Sequence, residues 1–260
     1  MQDELKIALI QSDLVWENPK QNRENFTQKI ENILGSVHVI ILPEMFTTGF
    51  TMNATSVAET MQGETVTWMK DLASKKNVAI TGSIIISETN NFYNRLLFVK
   101  PNGKIEYYDK CHTFTLVGEH KTFSAGKEKV IIDYKGWKIC PLICYDLRFP
   151  VWARNTEDYD VLIYIANWPQ PRISAWDALL KARAIENMCY CVGVNRVGID
   201  GVDSTYSGHS VVYDVLGNSI TSFDPNVEQT QIVVLKKSHI ERYRSKLKFL
   251  NDRDTFELKS

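Results

Sequence analysis

WKICPLICYDLRFP, residues 137 to 150, changes character at Cys144. Trp137 to Ile143 is an apolar run of strand length, and Pro150 stands where a first helical turn tolerates a missing N–H. The stretch reads as a strand that stops at Cys144 and turns toward a helix, which puts Cys144 on an elbow. At such a junction the side chain is thrust out at the sheet edge, and the following backbone N–H groups point into the same space, where they can stabilise an oxyanion. The plain alternative for any cysteine is a small apolar core residue. Cys140, two alternations back on the same strand, fits that description.

Working outward, Val130 to Asp133 and Trp137 to Ile143 flank Tyr134-Lys135-Gly136, and Phe92 to Lys100 and Lys104 to Tyr108 flank Pro101-Asn102-Gly103. Both patterns predict antiparallel hairpins. Leu5 to Ile10, Val37 to Leu42, Val78 to Ser87 and Val161 to Ala166 are further apolar runs of strand length, followed by Cys189 to Arg196, His209 to Asp214, Ser219 to Phe223 and Gln231 to Leu235. Helical periodicity appears in Pro19 to Leu34, with Phe26, Ile30 and Ile33 on one stripe, in Glu64 to Lys75, and in Ile173 to Met188, where Trp176, Leu180, Ala184 and Met188 form a row. The count predicts an α/β protein: two mixed sheets with helices outside, a four-layer α-β-β-α sandwich forming a single domain over 1–260. From about Lys236 the chain is charged and expected to be helical to about Lys248, leaving a tail suited to packing on a partner subunit. Met45 to Gln62 and Asp109 to Lys127 fit neither period, and long irregular stretches in a compact domain are commonly functional loops.

Composition narrows the partners. The 260 residues carry 30 basic and 31 acidic groups, a net charge of −1, so no overall field marks the chain as a binder of nucleic acid or anionic membranes. No uninterrupted apolar run is long enough to cross a bilayer, and the polar Met1 to Lys6 predicts no export. The five cysteines (Cys111, Cys140, Cys144, Cys189, Cys191) are odd in number and unevenly spaced, which argues against a disulfide framework and for reduced thiols in the cytoplasm. Cys111-His112 and Cys140-x3-Cys144 offer zinc donors, but no paired short-spaced motif closes a four-ligand set, so neither metal nor cofactor is expected. A small molecule is the expected partner.

A nucleophilic thiol needs a base or a nearby cation. Pro43-Glu44 follows an apolar strand and places a carboxylate just beyond a strand's C-terminal end, where α/β active sites collect. Lys110 follows Tyr107-Tyr108-Asp109 as the second hairpin strand runs out. Taken singly, each could equally be a solvated loop residue.

Together, Leu42-Pro43-Glu44, Tyr108-Asp109-Lys110-x-His112 and Ile143-Cys144-Tyr145-Asp146-Leu147-Arg148-Phe149-Pro150 resemble the glutamate, lysine and cysteine motifs of the nitrilase superfamily, the carbon-nitrogen hydrolases. The similarity continues through Gly118-Glu119-His120, Ala182-Arg183-Ala184-Ile185-Glu186-Asn187 and Ser207-Gly208-His209-Ser210, covering Leu5 to about Leu235. The resemblance implies the sandwich fold, a thioester on Cys144, Glu44 as general base, Lys110 with the Tyr145 backbone N–H as oxyanion donors, Glu119 as an additional carboxylate, and a homodimer across the outer helices around Arg148 and Ala184. A cation beside the sulfur would favour thiolate.

Within the superfamily, Glu44-Met45-Phe46-x3-Phe50, Gly118-Glu119-His120-Lys121 and Ala166-Asn167-Trp168-Pro169-x2-Arg172 are similar to the omega-amidases, which implies hydrolysis of the terminal amide of a 2-oxo acid monoamide. A substrate ending in a carboxylate calls for a cation at its far end, and Arg172 is the candidate. Phe46, Trp168 and Tyr206 are candidates to wall the aliphatic middle, and the substrate-side contact at Ala175 is expected to differ from that of relatives with a polar residue there. N-carbamoyl amino acids or other linear amides are the alternative substrates. Rival readings are a His-assisted cysteine enzyme using His112 or His209, for which no orienting Asn or Asp is recognisable in the sequence, and a non-catalytic binding protein. Arg183 and Glu186, three apart on a helix, suit a structural ion pair. Asp146 and Arg148 are expected to brace the elbow.

Overall fold

A computed structural model of the chain describes residues 3–258. Among the described residues thirteen strands run in chain order: β1 (Glu4–Gln11), β2 (Val39–Ile41), β3 (Ala79–Glu88), β4 (Asn91–Val99), β5 (Ile105–Asp109), β6 (Ile132–Tyr134), β7 (Trp137–Ile143), β8 (Val161–Ala166), β9 (Tyr190–Asn195), β10 (Val197–Ile199), β11 (Thr205–Ser207), β12 (Val211–Tyr213) and β13 (Gln229–Lys236). The α-helices are α1 (Pro19–Glu31), α2 (Ala54–Val57), α3 (Glu64–Lys76), α4 (Glu119–Thr122), α5 (Pro150–Ala153), α6 (Ile173–Asn187) and α7 (Lys237–Leu247).

Two mixed sheets form the frame, in the orders β13-β1-β2-β3-β4-β5 and β12-β9-β8-β7-β6. Each has a parallel centre, β1-β2-β3 in one and β7-β8-β9 in the other, with antiparallel strands at its edges. The inner faces meet through Leu5, Ile7, Leu9, Val39, Ile41 and Phe98 on one side and Trp137, Ile139 and Val161 on the other, all within one apolar core. On the outer face of the first sheet, Phe26 and Ile30 of α1 and Val66, Met69 and Leu72 of α3 cover Ala8, Ile10, Ile40 and Ile80. Helix α6 buries Trp176, Leu180 and Ala184. The result is the helix-sheet-sheet-helix layering, because every central strand is apolar on both faces and each covering helix on one.

The predicted hairpins form. Tyr134 pairs with Trp137 across a two-residue turn in which Lys135 and Gly136 both take positive φ, 52° and 82°, the turn whose twist matches that of paired strands. One expectation fails and one element is additional. Ser219 to Phe223 is not a strand; only an isolated bridge joins Ser219 to Tyr213. The separate β10-β11 ribbon was not foreseen, its strands being three residues each and too short to carry a period.

Parallel centres send their C-terminal ends to one edge of the sandwich. Glu44 follows β2, Cys144 follows β7, Asn167 follows β8 and Lys110 follows the antiparallel β5.

Candidate active site

Each of these residues is held by local geometry. Beyond Glu44 the chain enters a left-handed turn at Met45 (φ 42°), pinned where Met45 N donates to Ser83 Oγ at 2.8 Å and Phe46 N to Ser83 O at 3.1 Å. Lys110 N donates to Asn94 O at 3.0 Å, and its own carbonyl accepts from Gly126 N at 2.9 Å. Gly126 is obligatory there, since a Cβ would sit 2.1 Å from Asp109 O. Cys144 itself has φ 42°, an uncommon conformation for a non-glycine residue and the strained elbow expected of a displayed nucleophile. Asp146, fully buried, holds that elbow by accepting from Ile143 N (3.0 Å), His112 N (3.0 Å) and Tyr108 Oη (2.8 Å).

Three charged groups converge. Lys110 Nζ lies 2.9 Å from Glu44 Oε1 and 3.0 Å from both oxygens of Glu119. None of the three residues exceeds 1% exposure. Glu119 also accepts from Phe114 N, and Lys110 stands over the Phe50 ring at 5.1 Å. Glu44 accepts from Asn94 Nδ2 at 2.8 Å and from Asn167 N at 2.8 Å. Asn167 in turn donates Nδ2 to Glu44 O at 2.6 Å and places its carbonyl 4.0 Å from Cys144 Sγ. Burial alone would depress the Lys110 ammonium, but Glu119 and Glu44 outweigh it and keep it protonated. Glu119 is pushed above the ordinary carboxylate range by burial, against the pull of Lys110 and with Glu44 adding to the push.

The sulfur departs from the sequence expectation. Burial and the neighbouring Glu44 raise the Cys144 thiol well above its usual value, and Lys110 opposes them without prevailing. Its surroundings thus favour the neutral thiol beside a carboxylate, so that attack through this sulfur would need a base to take the proton.

Cys144 and Lys110 open into a cavity of ≈ 520 Å³ whose walls include Trp16, Phe50, Met52, Phe114, Tyr145, Trp168, Arg172 and Tyr206. Trp168, Arg172 and Tyr206 thus reach the cavity as expected. Phe46 does not: it is fully buried behind the sheet, edge-on to Phe26 at 5.4 Å, because the left-handed turn at Met45 directs it into the α1–α3 layer. Ala175 also packs on the core rather than on the cavity. Arg148 lines the wall with its guanidinium 4.9 Å from the Trp168 ring centre instead of bracing the elbow. Arg183 does pair with Glu186 at 2.9 Å. Both histidines prove to have aspartate partners, His112 with Asp146 at 2.8 Å and His209 with Asp177 at 3.1 Å. Neither lines the cavity, and the His112 ring is stacked on Phe149 at 3.6 Å.

Sequence reasoning missed Trp16, Glu17, Asp200, Val202 and Ser204, which come from the loop after β1 and the β10–β11 turn. It did flag the two irregular segments that deliver Phe50 to Asn53 and Phe114 to Val117. Among the described residues no group of three or more His, Cys, Asp or Glu side chains is arranged to hold a metal ion.

The structure is a four-layer sandwich whose strand ends gather a thiol, an ammonium and two carboxylates. The family model for the carbon-nitrogen hydrolases matches residues 6–245. The chain is 44% identical over 254 residues to Omega-amidase YafV of Escherichia coli (strain B / BL21-DE3), covering 98% of each, and 36% identical over 216 residues to a 2-oxoglutaramate amidase of Bacillus subtilis (strain 168), covering 81% of this chain and 83% of that one. A carbon-nitrogen hydrolase superfamily protein of Xanthomonas campestris, solved with an arsenic adduct in its active site, superposes with a TM-score of 0.96 at 40% identity over 100% of both chains. The chain belongs to the carbon-nitrogen hydrolase family, and it is an amidase similar to the omega-amidases.

Proposed function

We propose that this amidase removes the terminal amide of a small carboxylate-bearing 2-oxo acid monoamide, of the kind named in its Bacillus subtilis relative, through a thioester on Cys144. The observation that carries the reading is the buried Glu44–Lys110–Glu119 cluster set beside Cys144 at a cavity whose wall includes Arg148 and Arg172. Glu44 takes the thiol proton as Sγ attacks the amide carbon. An ammonium has three donors; one meets Glu44, one is shared by the Glu119 oxygens, and the third remains for the oxyanion, joined by the Tyr145 backbone N–H. Collapse expels ammonia with the proton Glu44 holds. Glu44 then deprotonates a water that cleaves the thioester to the free acid and thiol. Glu119 fixes Lys110 in place and in charge.

Because Glu44 takes the proton as the sulfur attacks, iodoacetamide should label Cys144 first, and Glu44→Gln, which removes that acceptor, should slow the labelling. Cys140, Cys189 and Cys191 are fully buried and Cys111 does not line the cavity, whereas Cys144 opens into it beside the Glu44–Lys110 pair. Peptide mass spectrometry reads the order; Cys111 reacting as fast as Cys144 would remove the case for an activated sulfur.

Two guanidiniums face the cavity, Arg172 (5.3 Å from the Phe114 ring) and Arg148, and among the described residues neither has a carboxylate partner. They suit the far end of an anionic substrate. Arg172→Ala should lower kcat/KM for 2-oxoglutaramate about 10- to 100-fold, the worth of one charge-assisted contact, and barely touch a carboxylate-free amide of equal length. An equal loss on both amides would remove Arg172 from this role. Ammonia release from 2-oxoglutaramate, 2-oxosuccinamate, glutamine, asparagine, an N-carbamoyl amino acid and a nitrile tests the substrate class; preference for the carbamoyl compound would move the chain to the alternative reading.

The reading includes a cytoplasmic homodimer. The five cysteines are free thiols, and no helix among the described residues is long and apolar enough to cross a membrane. Val151 of α5 and Ile185 of α6 are 50% and 44% exposed on the outer helical layer, whereas Ala184 faces the core. Sedimentation equilibrium tests the dimer, with a monomer as the contrary result.

A further inference from the structure

Glu44 offers its surroundings about four lone-pair positions, two on each oxygen. The fold fills three. Oε1 accepts from Lys110 Nζ at 2.9 Å and from Asn94 Nδ2 at 2.8 Å, while Oε2 accepts from Asn167 N at 2.8 Å. The open position is on Oε2, the oxygen held by the residue whose carbonyl lies 4.0 Å from Cys144 Sγ.

Asn94 is the unusual member of this set. It lies on β4, 1% exposed, and takes no part in the cavity wall. Its carboxamide orientation is fixed, because only an N–H can face a carboxylate oxygen. Oδ1 has no hydrogen-bond partner among the described residues, so the group's one protein partner is Glu44. A buried amide that uses only its donor contributes less to the fold than a satisfied one. What it does supply is a neutral donor on the Lys110 side of the carboxylate.

We infer that Asn94 is a positioning residue that closes Oε1 and leaves Glu44 a single proton-accepting lone pair, on Oε2, toward the sulfur. The inference rests on the reading of Glu44 as the base. With Oε1 half open, the carboxylate could swing away from Asn167 N or accept a proton beside the Lys110 ammonium, where it cannot be returned to the leaving nitrogen. With Oε1 closed, the proton from the thiol, the proton delivered to ammonia and the proton taken from water all pass through one atom.

Asn94→Leu keeps the branched shape and the number of heavy atoms and removes the donor. Its kcat should fall about 10- to 100-fold, the usual consequence of mis-aiming a reacting group, with KM within about threefold because Asn94 does not touch the cavity. Alkylation of Cys144 by iodoacetamide should slow by the same factor, and Tm should be kept. In Asn94→Asp the new carboxyl donates to Oε1 only while protonated, so activity relative to wild type should rise as pH falls, a trend a structural role does not produce; should Asn94→Leu be insoluble, this isosteric variant carries the test. An unchanged kcat in folded Asn94→Leu, a loss confined to KM with normal alkylation, or a pH-independent ratio for Asn94→Asp would each overturn the inference. Glu44→Gln run alongside separates the two claims: if it turns over, the base assignment falls, and if it is dead while Asn94→Leu is fully active, only the role of Asn94 falls.

Discussion

Cys144→Ala is expected to lower ammonia release by a factor on the order of 10⁵ or more, the scale seen when a covalent nucleophile is removed, while leaving the protein folded. Alanine keeps the left-handed backbone at residue 144 no worse strained than cysteine does. It also removes a thiol that burial and Glu44 hold toward its neutral form, and leaves the Glu44–Lys110–Glu119 ion pairs in place. The cavity and its two arginines remain, and the variant should bind the amide without turning it over. Intact-mass analysis of acid-quenched reactions checks the reason for the loss: wild type should carry the acyl mass on the peptide containing Cys144, and the variant none. Residual turnover within about 100-fold of wild type would mean that water attacks the amide directly and that no thioester is required.

How much of this was legible beforehand follows from where the information lies. The strand ending at Cys144 and the one ending before Glu44 are apolar on both faces, a signal that survives in one dimension, and the left-handed elbow follows once the strand is seen to stop there. The convergence of Glu44 and Lys110, 66 positions apart, was legible only through motif resemblance, since periodicity says nothing about which strand ends meet. Phe46 and Phe50 illustrate the limit. Both are aromatic and four apart beyond the same glutamate, yet one fills the helix layer and the other the cavity wall, and the positive φ at Met45 that separates them has no glycine or asparagine to announce it. The protonation of the sulfur was misjudged for a related reason. A nearby cation suggests thiolate, but desolvation around the sulfur and two carboxylates push the other way, and only the packed structure brings these together.

Lys110→Met should cost both stability and turnover, and the two losses should be separable. The side chain is 1% exposed between two carboxylates, so deleting its charge leaves like charges buried together, a change worth roughly 3–5 kcal/mol. Glu119 relieves the repulsion by taking a proton: burial already raises it, Lys110 is the main influence pulling it down, and Glu44 pushes it further up. An acid raised in the folded state binds more protons folded than unfolded above its unfolded value, so stability falls as pH rises toward the folded value. With Lys110 gone that window widens, and the Tm of the variant should drop more steeply with rising pH than that of wild type above about pH 5, the range above the unfolded carboxylate value. Adding Glu119→Gln removes the second charge, keeps an acceptor for Phe114 N, and should restore Tm and flatten its pH dependence. It should not restore catalysis. Loss of an oxyanion donor alone costs about 10²–10³-fold, and the double variant still lacks the ammonium that meets the tetrahedral oxygen. Recovery of activity together with stability would show that Lys110 serves only to hold the cluster together, and the oxyanion would then have to rest on backbone N–H groups alone.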